Sequence, residues 1–194
     1  MSGVPRLPIL IALLVMNAVP ATAQLYDRRQ GFWVSVGAAY GSANITCDDC
    51  QDGPRVGSFS PSIRLGGTIS EHVRLGIMAD AWTHSSAGQS EWLGNFGGLV
   101  LYYPQERRGL FLEGGAGWSF YWGQVTPDDV SGMGSGFSIG IGYDHSIGHQ
   151  LSVTPRFHYQ YGNVGTINYS GGLGLFTTGW KQNMWSLGVA LTYH

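Results

Sequence analysis

From Met184 to Tyr193 the sequence alternates without a break. Trp185, Leu187, Val189, Leu191 and Tyr193 share one parity, while Ser186, Gly188, Ala190 and Thr192 share the other. Side chains on a strand alternate between its two faces. This segment therefore has one wholly apolar face, with an aromatic at each end, and one small or polar face. About ten such residues cross a bilayer as a tilted strand, with the apolar face toward lipid and the other toward a lumen. The pattern recurs about seven more times upstream. It predicts an all-β fold, an eight-stranded antiparallel up-and-down transmembrane β-barrel. Closure answers the demand of lipid, because it leaves no backbone N–H or C=O unpaired.

Composition bears on the same point. Charged residues make up 11% of the chain, aromatics 13%, and glycines number 31, whereas an ordinary soluble chain carries about 25% charged residues. No segment after residue 23 is long and apolar enough for a membrane helix. At the start, Arg6 supplies a positive region, Leu7 to Val19 an apolar run, and Ala21-Thr22-Ala23 a small-x-small cleavage site, the layout of a cleavable secretory signal. The expected division is a signal peptide at 1–23 and a barrel domain at 24–194. Loss of Arg6 leaves a mildly acidic chain, without the basic footprint of a nucleic-acid binder.

The expected strands are 31–41, 58–70, 73–83, 92–103, 110–121, 134–144, 151–161 and 184–193. Between them, 42–57, 84–91, 122–133 and 162–181 read as long polar loops, and the turns at 71–72, 104–109 and 145–149 as short ones. That asymmetry predicts long loops outside the cell and both termini on the periplasmic side. A three-residue turn with Ser70 opposite Arg74 would set Arg64 directly across from Asp80, both pointing inward. Pro155 falls mid-strand, where it cannot donate to the ladder, and predicts a bulge.

Inward positions carry Arg64, Arg74 and Arg156 against Asp80, Glu113 and Asp144, with His158 beside them. Eight strands enclose a lumen that side chains nearly fill. Three bases facing three acids there predict a salt-bridge network that plugs the barrel, since buried charge is costly unless paired. A gated proton or ion path is the functional alternative. The strings Gly114-Gly115-Ala116-Gly117 and Gly140-Ile141-Gly142 lie within strands with no helix following, so they lack the context of a phosphate loop. Aromatics near the predicted strand ends, among them Tyr40, Trp92, Tyr102, Tyr103, Trp118, Tyr121, Trp180, Trp185 and Tyr193, suggest two interfacial girdles, with ordinary strand propensity as the plainer reading.

Cys47 and Cys50 form a Cys-Asp-Asp-Cys string. In an exported chain a short-loop disulfide is the plain reading. The neighbouring Asp48, Asp49 and Asp52 are hard oxygen donors, poorly matched to thiolates, so neither a metal nor a cofactor is expected.

The signal peptide, the eight alternating segments and the closing strand together resemble the small outer-membrane β-barrel proteins of diderm bacteria, the OmpA/OmpX-like class. The resemblance covers the whole mature chain. It implies insertion in the cell outer membrane by a barrel-assembly machine and contact with outer-membrane lipid and lipopolysaccharide. It also implies roles in envelope integrity, adhesion or surface binding, without fixing one activity; the leading reading is a monomer with a non-enzymatic role in envelope structure or surface interaction through extracellular loops. The last strand is similar to the assembly signal of that class in Ser186, Gly188, Leu191 and Tyr193, and departs from it by ending in His194. His84-Ser85-Ser86 resembles, over a few residues, the His-x-Ser of lipid A deacylases, where a histidine activates a serine hydroxyl. On that reading His84 and Ser86 are catalytic, although a glutamate at the matching distance is missing. A polar Ser/Gly loop is the plainer account. The remaining alternative, a soluble lipocalin-like barrel, requires an apolar interior and a charged exterior.

Overall fold

A computed structural model describes residues 30–48, 54–86, 88–106, 108–125, 128–170 and 176–194. The expected signal peptide and Cys50 lie outside the described residues. Eight long antiparallel strands follow one another around a closed barrel: β1 (Phe32–Thr46), β2 (Val56–Thr68), β3 (Val73–Ser86), β4 (Gln89–Tyr102), β5 (Leu110–Val125), β6 (Asp128–Tyr143), β8 (Leu151–Tyr169) and β9 (Phe176–Tyr193). The two-residue β7 (His145–Ser146) continues β6. Each long strand pairs with the next long strand, β7 pairs with β8, and β1 pairs with β9, so no edge is left open. Val34 stands opposite Tyr193, so the first and last strands meet at one end, the near rim. The opposite end is the far rim.

The parity read from the sequence sets inside and outside. Val36, Ile63, Ile77, Val100, Leu112, Ile139, Phe157 and Leu191 are exposed on the outer wall, whereas Trp33, Arg64, Met78, Asp80, Leu99, Glu113 and His158 are buried in the lumen. An apolar exterior around a polar, charged interior inverts the lipocalin arrangement.

Three expectations are corrected. The far-rim loops are mostly strand: β1 runs to Thr46, β3 to Ser86, β4 starts at Gln89, β5 reaches Val125, and β8 reaches Tyr169. The asymmetry between the two rims lies in strand extension rather than in loop length. Hydropathy marks only the part of a strand that touches lipid; polar residues beyond it still complete the ladder. β8, at 19 residues, measures about 60 Å along its axis and at a tilt of about 45° rises well beyond an apolar band about 25 Å tall.

The β2–β3 register also differs. Thr68 pairs with Arg74 and Arg64 with Met78, leaving Asp80 opposite Ser62. The cause is a bulge at the turn, where the N–H groups of Ile69 and Ser70 both donate to the carbonyl of Val73 at 3.0 and 3.1 Å. Because the shift preserves parity, Arg64 and Asp80 remain on the inner face as diagonal neighbours.

Pro155 causes no bulge on its β9 side, where it stays in register opposite Val189. The missing N–H instead interrupts the other ladder, between Gly142↔Arg156 and His145↔Val153. Pro61 behaves likewise: it pairs with Ala38 on β1, while the β2–β3 ladder skips it. The Ser60 hydroxyl then donates to the carbonyl of Ala81 at 2.8 Å, taking the place of the donor that Pro61 lacks. The register shifts on β8 lie further up, between Asn163 and Ile167, around Gly165 with its φ of +79°, a conformation that glycine adopts at little cost.

Candidate functional site: the closed lumen

The lumen is layered. At its centre, Arg64 from β2 holds Asp80 of β3 at 3.0 Å and Glu113 of β5 at 2.8 Å, and its Nε donates to the second oxygen of Glu113 at 3.1 Å. Two parallel donors on one carboxylate give the guanidinium a fixed seat. On β8, Arg156 lies 3.8 Å from Glu113 and donates to the hydroxyl of Ser62 at 2.8 Å. His158 places Nε2 3.2 Å from Glu113 and 3.9 Å from Asp80. Glu113 is the hub: its side chain is 0% exposed and faces Arg64, Arg156 and His158. Gly37 makes room for this contact, because a Cβ there would meet the Ser62 hydroxyl and the Arg156 guanidinium.

Arg74 and Asp144 do not join this cluster, as the sequence suggested they would. They form a second network at the near rim. Arg74 donates to Tyr103 at 3.4 Å and to Nδ1 of His194 at 3.0 Å, and its guanidinium lies over the rings of Trp33 and Tyr103. The Tyr103 hydroxyl donates to Asp144 at 2.8 Å, as does the hydroxyl of Thr154. Because arginine only donates, Nδ1 of His194 accepts, and its Nε2–H donates to Ser152 at 2.9 Å. One void beside this network and another beside Asp80 and Arg156 measure about 10 Å³ each, about the room one water needs.

Toward the far rim, Asn95 reaches across the lumen to donate to the carbonyls of Phe137 and Tyr161, both at 3.1 Å. Gln182 donates to Ser119 at 2.8 Å. Above them Ala43, Trp82, Leu93, Tyr121, Val130, Val164, Ile167 and Met184 form a buried apolar cluster. A smaller one, containing Trp33, Met78, Leu99, Leu101, Tyr103 and Phe111, lies toward the near rim. The barrel is therefore packed with side chains from rim to rim along its described length.

Sequence reasoning missed Tyr103, His194, Asn95 and Gln182. Tyr103 and Tyr121 were expected in the girdles, yet both are buried in the lumen, and Trp180 packs against the far-rim cluster. Parity carried the signal: Tyr103 has the phase of Leu99 and Leu101, and His194 that of Ser186 and Thr192. The outward Tyr40, Trp92, Tyr102, Trp118 and Tyr193 remain on the exposed wall.

His84 and Ser86 fall on the last turnings of β3. The His84 ring stacks on Trp82 at 5.6 Å, Ser86 is exposed, and no hydrogen bond joins the two among the described contacts. Glu91, the strand partner of His84, accepts from Tyr121. The arrangement does not assemble a nucleophile, a base and an orienting acid. Cys47 follows directly on the last residue of β1.

A closed eight-stranded barrel with an apolar wall is shared by one broad group of proteins. The sequence matches the outer membrane protein beta-barrel domain over residues 9–192. The chain belongs to this outer-membrane β-barrel family. No curated protein sequence matches it. Among solved structures it is similar to the neisserial surface protein NspA, at 16% identity and a TM-score of 0.55, covering 84% of this chain and 97% of that one. It is also similar to Ail, the attachment invasion locus protein of Yersinia pestis, solved with the heparin analogue sucrose octasulfate, at 11% identity and a TM-score of 0.53, covering 84% and 100% of the two chains. At such identities the likeness is one of fold. Membership of the family sets the barrel in the bacterial outer membrane.

Proposed function

We propose that this barrel is a non-enzymatic outer-membrane protein that acts through its far rim, in envelope structure or surface interaction, and not as a pore. The observation that carries this reading is the closed lumen: Arg64, Asp80, Glu113, Arg156 and His158 fill its centre, and an apolar cluster caps it. In this reading the far rim faces the cell exterior and both termini face the periplasm, as strand extension on one side only suggests. Signal-peptide cleavage after Ala23, a Cys47–Cys50 bridge, a monomeric state, and recognition of Ser186, Gly188, Leu191 and Tyr193 by the assembly machinery belong to the same reading. In support of the last, Leu191 and Tyr193 stand exposed on the outer wall.

Expression in a porin-deficient diderm host tests the proposal. Uptake of a small hydrophilic solute and the acylation pattern of lipid A should both match the empty-vector control. Faster uptake would point to a pore. A shortened acyl pattern that disappears in His84→Ala would restore the deacylase reading.

A further inference from the structure

Two hydrogen-bond donors in the near-rim network lack an acceptor. Trp33 and Arg74 are each 1% exposed, and neither Nε1 of Trp33 nor Nε of Arg74 has a hydrogen-bond partner among the described residues. Indole and guanidinium groups only donate, so neither can satisfy the other. A donor buried without a partner keeps the full cost of its lost hydration. Both residues border the same void of about 10 Å³.

The charges around this void are uneven. The guanidinium groups of Arg64, Arg74 and Arg156 border it with the carboxylates of Glu113 and Asp144. Both carboxylates are engaged. Glu113 accepts two bonds from Arg64, and the two oxygens of Asp144 accept from the hydroxyls of Tyr103 and Thr154. Arg64 and Arg156 form ion pairs, whereas Arg74 forms none among the described residues. Its partners are the Tyr103 hydroxyl, Nδ1 of His194 and the ring faces of Trp33 and Tyr103. Tyr103 stands between it and Asp144. The aromatic faces offset part of the cost of burying this charge, but a buried cation is costly unless it is paired.

We infer that the void is a binding site for a single halide ion, chloride under ordinary conditions, held by the Nε–H of Arg74 and the Nε1–H of Trp33. The occupant has to accept from both donors, and negative charge suits it to Arg74. Size limits the class further. The void offers about the room of one water. A chloride is only slightly larger, a difference that small side-chain adjustments absorb, whereas a carboxylate, sulfate or phosphate is too large. The ion completes the near-rim network. It ties Trp33 of β1 to Arg74 of β3, two strands that do not pair with each other. A ligand that binds only the folded state stabilises it by mass action, so the folded barrel gains stability as halide concentration rises. This inference does not depend on which rim faces the cell exterior.

The test uses the refolded barrel in detergent. Crystals grown with sodium bromide in place of chloride, measured at the bromine absorption edge, should show an anomalous peak inside the lumen within hydrogen-bonding reach of Arg74 and Trp33. In solution, the temperature at which the folded gel band converts to the unfolded one should be higher in chloride or bromide than in gluconate of equal ionic strength, because gluconate is too large for the void. Trp33→Phe keeps an aromatic ring and removes the N–H. It should need about tenfold more halide for the same rise, the loss of one hydrogen bond to a charged group. Arg74→Gln should abolish the rise, and it reads the same site if Trp33→Phe does not fold. A water at that place in the bromide crystals, bromide on the barrel surface as an adventitious ion only, or a halide-dependent rise that both variants keep unchanged would overturn the inference.

Discussion

At the scale of single residues, Glu113 decides how the lumen holds together. It is the one acid that faces Arg64, Arg156 and His158 at once. Replacing it with glutamine keeps the shape and removes the charge, leaving Arg64 with Asp80 as its remaining carboxylate and Arg156 buried with no carboxylate among the described ion pairs. Breaking a buried pair from one side costs about 3–5 kcal/mol. Glu113→Gln should therefore lower the temperature at which the folded band converts to the unfolded one on an unboiled gel by many degrees. An unchanged conversion temperature would show that the cluster contributes little. The composition of this cluster was legible in the sequence, because parity alone puts Arg64, Asp80, Glu113, Arg156 and His158 on the inner face. Its division from the Arg74–Asp144 network was not. That division depends on how far each strand is sheared past its neighbour, and parity carries no information about height.

At the scale of strands, the apolar rows were readable and the extensions were not. Ile139 and Val189 announce themselves as lipid-facing by apolar neighbours two residues away on both sides, whereas Gln124, Ser131 and Asn163 read as loop because the alternation stops beside them, at Thr126, Asp129 and Gly165. They are strand because the adjoining strands also continue, so each backbone group finds a partner. The two kinds of outward position should respond differently to charge. Ile139→Arg places a cation within the apolar band and should cost about 2–4 kcal/mol, while Gln124→Arg, on the exposed extension of β5, should cost about 0–1 kcal/mol. Urea unfolding of barrels in lipid vesicles measures both. Similar costs at the two sites would place the β5 extension inside the bilayer. The prolines show the same limit of local reading. Pro155 signals a lost hydrogen bond, but only the pairing shows that the loss falls on the β6 side.

At the scale of the whole molecule, closure and filling go together. The β6–β8 pairing closes the wall, and a barrel of this size leaves room for side chains and little else. What fills it changes with height: a near-rim network anchored on Arg74, Tyr103, Asp144 and His194, an ionic centre, a layer of amides, and an apolar cap. The cap escaped the sequence reading because Val130, Val164 and Ile167 lie in segments read as loops. Seen together, they seal the far end of a lumen whose centre is charged. The most direct measurement of that account is single-channel recording on the refolded protein in planar bilayers, in samples shown to be folded by their unboiled gel band. The account predicts a flat baseline at voltages and salt concentrations that open ordinary porins. Discrete, reproducible conductance steps from the same folded sample would contradict it, and would mean that the Arg64–Glu113 centre yields to permeating ions.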